Sequence, residues 1–204
     1  MKATRHMTAA WWLLAIGFPL VTLLAVVGGF LIAGQGGFAA LHVPAGDTTT
    51  ASTDASMIER GRYLAQIGDC VGCHTTRGGR ALAGGRAFKT DWGVVYSTNL
   101  TPDMETGIGS WSAAEFRHAM RHGVSRSGFL YPAFPFQHFQ HVDDDDVDAI
   151  FAWLHTRTPV SARPPANVLE SIARWRLSLL GWRMLFHHPK PLPAAPTRSP
   201  SWQR

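Results

Sequence analysis

Residues 70–74 read Cys-Val-Gly-Cys-His, and they hold both cysteines of the 204-residue chain. Two thiols three positions apart match the two vinyl groups on one edge of a haem, so each can form a thioether. The adjoining imidazole of His74 can then turn under the ring and bind iron. A covalent c-type haem is the first reading, with Cys70 and Cys73 as anchors and His74 as proximal ligand. This limits the fold, because the chain must wrap a flat cofactor. A zinc half-site lacks a second cysteine pair, although ten histidines leave a mixed site formally open. A thioredoxin-type pair needs a preceding strand and a helix built on the motif, whereas Gly78, Gly79, Gly84 and Gly85 follow in loop-like sequence. A disulfide across so short a loop would remove little unfolded-state entropy.

Residues 9–34 carry no charged side chain. A membrane-spanning helix needs about 20 apolar residues, whereas the apolar region of a cleaved signal is usually about 7 to 15 residues. A transmembrane signal anchor is therefore favoured, with cleavage at the small residues near Phe38-Ala39-Ala40 as the alternative. Lys2 and Arg5 precede the span, and Asp47, Asp54 and Glu59 follow it. The positive-inside bias then leaves residues 1–8 in the cytoplasm and the rest on the periplasmic side of the inner membrane, as a single-pass protein. Haem attachment to Cys-x-x-Cys-His normally occurs on that side. The lack of further cysteines also suits an oxidising compartment.

A Thr/Ser/Gly/Ala-rich linker over 35–56 leads to a domain over 57–160, of the usual single-domain size of about 100 residues. Twenty glycines and 13 prolines suit a loop-rich wrapping of a cofactor, and no convincing strand alternation appears. Residues 57–68 predict a helix leading into the haem motif, with Tyr63, Leu64 and Ile67 available to the ring. Ser112 with Glu115 forms a capping box that starts a helix ending at Gly123. A third helix begins at the acid run Asp143–Asp146, where carboxylates suit the helix dipole better than a metal. Its residues Val147, Ile150, Phe151 and Leu154 share one face. The pattern predicts an all-α fold.

Four stretches resemble the cytochrome c subunits of membrane-bound bacterial dehydrogenases: Ile58 to Leu64, Cys70 to His74, Ser97-Thr-Asn-Leu-Thr-Pro-Asp103 with Glu105 to Ser112, and Leu130-Tyr-Pro-Ala-Phe-Pro-Phe136. The resemblance covers about 57–160. It implies a small class I cytochrome c domain, three to four helices wrapped on one covalent haem c. It also implies electron transfer from a dehydrogenase catalytic subunit, of the alcohol, gluconate, or molybdenum aldehyde or isoquinoline type, to ubiquinone or a terminal oxidase. Such subunits usually carry Met within Tyr-Pro-Ala-Met-Pro as the distal iron ligand, whereas position 134 is Phe. His138, then Met120, then Met104 are the replacements considered, and bis-His ligation would lower the potential relative to His/Met. The variant Phe-Pro-Phe-x-His-Phe resembles subunits partnered with molybdenum hydroxylases, which favours an aldehyde or N-heterocycle dehydrogenase. An open distal site would instead give a haem-based gas sensor or haem enzyme. No catalytic triad, phosphate loop or carboxylate pair is evident, so no catalytic residue is assigned to this chain.

His118 and His122 lie four apart on a helical face but lack an evident third metal ligand, which makes exposed surface histidines the expectation. Trp92, Tyr96, Trp111, Phe129, Tyr131 and Trp153 are read as pocket packing. Residues 161–204 form a basic arm in which Asn167 and Glu170 cap a helix over about 168–186. Its apolar stripe of Val168, Ile172, Trp175, Leu179, Trp182 and Phe186 suits a membrane interface or a partner subunit. Nucleic acid is excluded as a partner by the extracytoplasmic placement and the lack of a recognition motif. Ser199 to Arg204 resembles the lead-in to a second haem domain, which predicts a short mono-haem relative or one piece of a split or truncated multi-haem subunit.

Overall fold

The computed structural model describes residues 17–24, 27, 51–174 and 176–187. Residues 17–24 are helical and expose Phe18, Leu20, Val21, Leu23 and Leu24. Among the described residues no helix is long and apolar enough to cross a membrane. Most of the expected span over 9–34 lies outside them, as do most of the expected linker and the chain beyond 187.

The main helix, α1 (Ala55–Ile67), starts where the Asp54 carboxylate accepts the Met57 N–H, and Gly68 and the left-handed Asp69 separate it from the short turn α2 (Cys70–Cys73). Helix α3 (Ala113–His122) has the expected capping box, with Ser112 Oγ accepting from the Glu115 N–H and Glu115 Oε2 accepting from the Ser112 N–H. It ends at Gly123. A short α4 (Phe136–Phe139) precedes α5 (Asp144–His155), which begins in the acid run. Two of those acids meet arginines, Asp146 with Arg60 and Asp144 with Arg121 at 2.8 Å, and Asp148 farther along α5 pairs with Arg117. No cluster of three metal-ligating side chains occurs among the described residues.

Helices α1 and α5 cross at Gly61. A Cβ there would lie 1.8 Å from the carbonyl oxygen of Ala149, so the crossing requires a glycine. Around it Ala65, Phe116, Val147, Ile150, Phe151 and Leu154 form one buried core. Each large side chain removed from water there contributes roughly 1.5–3 kcal/mol.

The all-α expectation needs correcting, because the domain is mostly helical but carries short strands. Strands β1 (Ala87–Thr90) and β2 (Gly93–Tyr96) form an antiparallel hairpin, and β3 (Val124–Ser125) pairs with β4 (Gly128–Phe129). Strand β5 (Val168–Leu169) joins β2, with Gly93 opposite Leu169 and Val94 opposite Val168. Strands of two to four residues are too short to show alternation in sequence. β5 also corrects the C-terminal helix. Asn167 does not cap it, because Asn167 Oδ1 accepts the Tyr96 N–H at 2.9 Å. A 3₁₀ turn (Ser171–Arg174) intervenes, and α6 runs only over Arg176–Phe186.

Candidate haem site

The turn α2 presents Cys70, Cys73 and His74 together, and both cysteines are free thiols. Burial pushes the Cys70 thiol up to about 11, with Cys73 adding to the effect. Burial and then Asp69 also raise Cys73, whose thiol lies 3.8 Å from Asp69 Oδ2. Both groups therefore stay protonated near neutral pH. This is unlike a redox dithiol, which relies on a depressed thiol pKa.

His74 Nδ1–H donates to the Thr98 carbonyl at 2.7 Å. Burial lowers the pKa of this imidazole, opposed by that hydrogen bond. The ring is held as the neutral tautomer with Nε2 left to ligate iron, the usual outer-partner arrangement of a metal-binding histidine. The carbonyl is positioned by a chain of backbone contacts. Gly84 N–H donates to the His74 carbonyl at 2.7 Å, and Leu100 N–H donates to Leu82 O at 2.8 Å. Asn99, 2% exposed, accepts from the Thr101 N–H and hydroxyl through Oδ1, while its Nδ2 donates to Thr106 Oγ1 and Val160 O. Arg86 donates to the Gly72 carbonyl within the motif.

This donor set fits a c-type haem: two protonated thiols on one turn and an imidazole with its tautomer fixed. The family pattern for cytochrome c matches residues 58–158. The chain belongs to the cytochrome c family. Family membership implies covalently bound haem c. Among its relatives, a nicotinate dehydrogenase subunit of Pseudomonas putida is 47% identical over 154 residues, covering 75% of this chain and 13% of that protein. The cytochrome c subunit of the quinone alcohol dehydrogenase of Gluconacetobacter polyoxogenes is 39% identical over 160 residues, covering 76% and 34%. The gluconate 2-dehydrogenase cytochrome c subunit of Pantoea cypripedii is 42% identical over 135 residues, covering 64% and 30%. The chain thus spans about a third or less of each of these longer relatives.

The other predicted ligands are dispersed in this cytochrome. Met120 is buried in the main core, against which Cys70, Phe134 and Phe139 also pack. The rings of Phe134 and Phe139 stack at 5.4 Å. His138 is exposed on α4, and Met104 is 68% exposed. Of the three residues expected at the ring, Tyr63 and Ile67 are exposed and Leu64 packs on the core. Two further expectations are corrected. Trp92 is exposed at the β1–β2 turn. His118 is buried at 8%, with its ring 4.8 Å from that of His122, whereas His122 is exposed as expected. In the predicted stripe of the C-terminal arm, Val168 and Phe186 are exposed and Leu179 is buried; the side chains of Ile172 and Trp175 are not among those described.

Sequence reasoning missed Thr98, Asn99 and Gly84. The stretch from Ser97 to Asp103 carried the family resemblance, but Thr98 acts through its backbone carbonyl, which no side-chain pattern reveals.

Proposed function

We propose that this cytochrome is the membrane-anchored, periplasmic electron-transfer subunit of a dehydrogenase, with one haem c bound through Cys70 and Cys73. The catalytic partner oxidises the substrate, and electrons continue to ubiquinone or a terminal oxidase. A c-type haem supplies a one-electron Fe(III)/Fe(II) couple. The observation that carries this reading is the fixed His74 ring beside two free cysteines on one turn. The Thr98 carbonyl fixes the His74 ring so that Nε2 would be the nitrogen to hold iron, and Cys70 would hold the haem where it packs against the main core. For the distal position, the packing of Met120 in the cluster that also meets Cys70 and Phe134 supports it ahead of His138 and Met104, which exchanges the first two places of the sequence-based order. The relative named as a nicotinate dehydrogenase subunit supports a molybdenum-type N-heterocycle or aldehyde dehydrogenase as partner.

Phe134 supplies the second reading, a haem-based gas sensor or haem enzyme, because a phenyl ring cannot ligate iron. One experiment separates the two. The tagged, haem-loaded chain is purified from native membranes in mild detergent, and its co-purifying subunits and carbon monoxide binding are measured. A dehydrogenase with a low-spin haem indifferent to carbon monoxide supports electron transfer. A lone haem protein that binds carbon monoxide overturns it.

A further inference from the structure

The guanidinium of Arg183 lies in a part of the molecule that the haem reading does not use. Arg183 is 6% exposed. Its Cζ lies over the rings of Phe129 and Phe136, at 5.3 and 4.9 Å from their centroids. Phenyl faces attract a cation but do not accept its in-plane N–H bonds. Accordingly Arg183 Nη1 is buried with no hydrogen-bond partner, and among the described residues no carboxylate pairs with Arg183.

The groups around it carry the same sign. His122 feels His118, Arg183, Arg121 and His187, each of which disfavours its protonation in addition to burial. His187 stands edge-on to Phe136 at 5.0 Å, just past the end of α6, where its N–H donates to the Arg183 carbonyl. Arg121 itself is engaged by Asp144. Cationic and imidazole groups gathered at one place, one of them with a buried N–H group that has no acceptor, are stable with an anion between them. A metal ion is disfavoured by the guanidinium, and no three-ligand metal cluster exists among the described residues.

We propose that Arg183, His122 and His187 form a binding site for a phosphate-type oxyanion between the C-terminal end of α3 and α6. Arg183 supplies the planar donor pair from inside, and exposed His122 marks the entrance. Occupancy ties α6 to the domain by bridging two elements. The site is independent of the haem reading.

The test uses the haem-loaded, full-length chain in neutral detergent. Inorganic phosphate is titrated calorimetrically at constant ionic strength against chloride. Dihexanoyl phosphatidic acid, with dihexanoyl phosphatidylcholine as control, is titrated in parallel. Saturable binding at one site per chain is expected, weakened about tenfold or more by Arg183→Gln, as expected for loss of a bidentate charged partner. His122→Gln, at an exposed position, keeps the fold testable if Arg183→Gln does not fold, and a weakening of about threefold is expected. Phosphate binding identifies a free oxyanion as the ligand. Binding of phosphatidic acid alone, with the same dependence on these residues, identifies a lipid headgroup. Absence of both, or binding unchanged by the substitutions, overturns the proposal.

Discussion

A Cβ on Gly84 would lie 2.6 Å from the carbonyl carbon of Thr98 and 2.7 Å from the carbonyl oxygens of Ser97 and Thr98, at a φ of +76°. Those are backbone atoms, so they must move, and the Thr98 carbonyl is the group that fixes His74. Gly84→Ala is therefore expected to cost about 2 kcal/mol or more in thermal unfolding of the haem-loaded domain. It should also disturb the visible spectrum, whereas an effect on stability alone would separate Gly84 from the iron site. Met120 allows a second residue-scale test, because Met→Leu conserves volume and costs under about 1.5 kcal/mol even in a core. Met120→Leu is expected to yield a high-spin haem that binds carbon monoxide, while His138→Leu leaves the spectrum unchanged. The reverse pattern would return the distal position to His138.

The helices were legible because their signals are local. Ser112 and Glu115 announce a cap, and the run of aspartates marks the start of α5. The strands were not legible, since β5 exists only through its pairing with β2, some 70 positions earlier in the chain. Gly61 reads as an ordinary helix glycine until α5 is laid against it. Gly61→Ala would drive a methyl group into the Ala149 carbonyl and is expected to destabilise the domain by about 3 kcal/mol or more, well above the ordinary helix gain from alanine. Thermal unfolding measures it. On α3, burial works to raise the Glu115 pKa, but the Arg126 hydrogen bonds and the cap outweigh it, and the folded-state value is depressed. The stability contributed by this carboxylate is therefore fully present above its unfolded value, about 4.3, and is lost as the pH falls through the folded-state value. Glu115→Gln keeps an acceptor for the cap and removes only the charge. A deficit of about 1 kcal/mol is expected at pH 7, discounted because Arg126 is 41% exposed. The gap between variant and parent should close in acid unfolding curves as Glu115 protonates.

At the scale of the whole domain, the haem motif was legible because thioether chemistry needs only five consecutive residues. What holds the motif is assembled from distant backbone atoms. Asn99 joins the loop behind His74 to the chain leaving α5: its Nδ2 reaches Val160 O at 2.7 Å and Ala162 O at 3.3 Å, while the Thr101 and Thr106 hydroxyls accept the Val160 and Ala162 N–H groups. An exposed ion pair spans the same junction, Arg163 with Glu105, each 76% exposed. Solvent screening and side-chain entropy leave such a pair nearly neutral, whereas Asn99 is buried and its partners would be left unsatisfied. Asn99→Ala is therefore expected to cost about 2–4 kcal/mol in thermal unfolding and to speed hydrogen exchange at the Val160 and Ala162 amides. Glu105→Ala should change neither. Equal effects from the two substitutions would mean that surface charge holds this junction; the expected inequality would mean that one buried amide couples the histidine loop to the chain that follows α5.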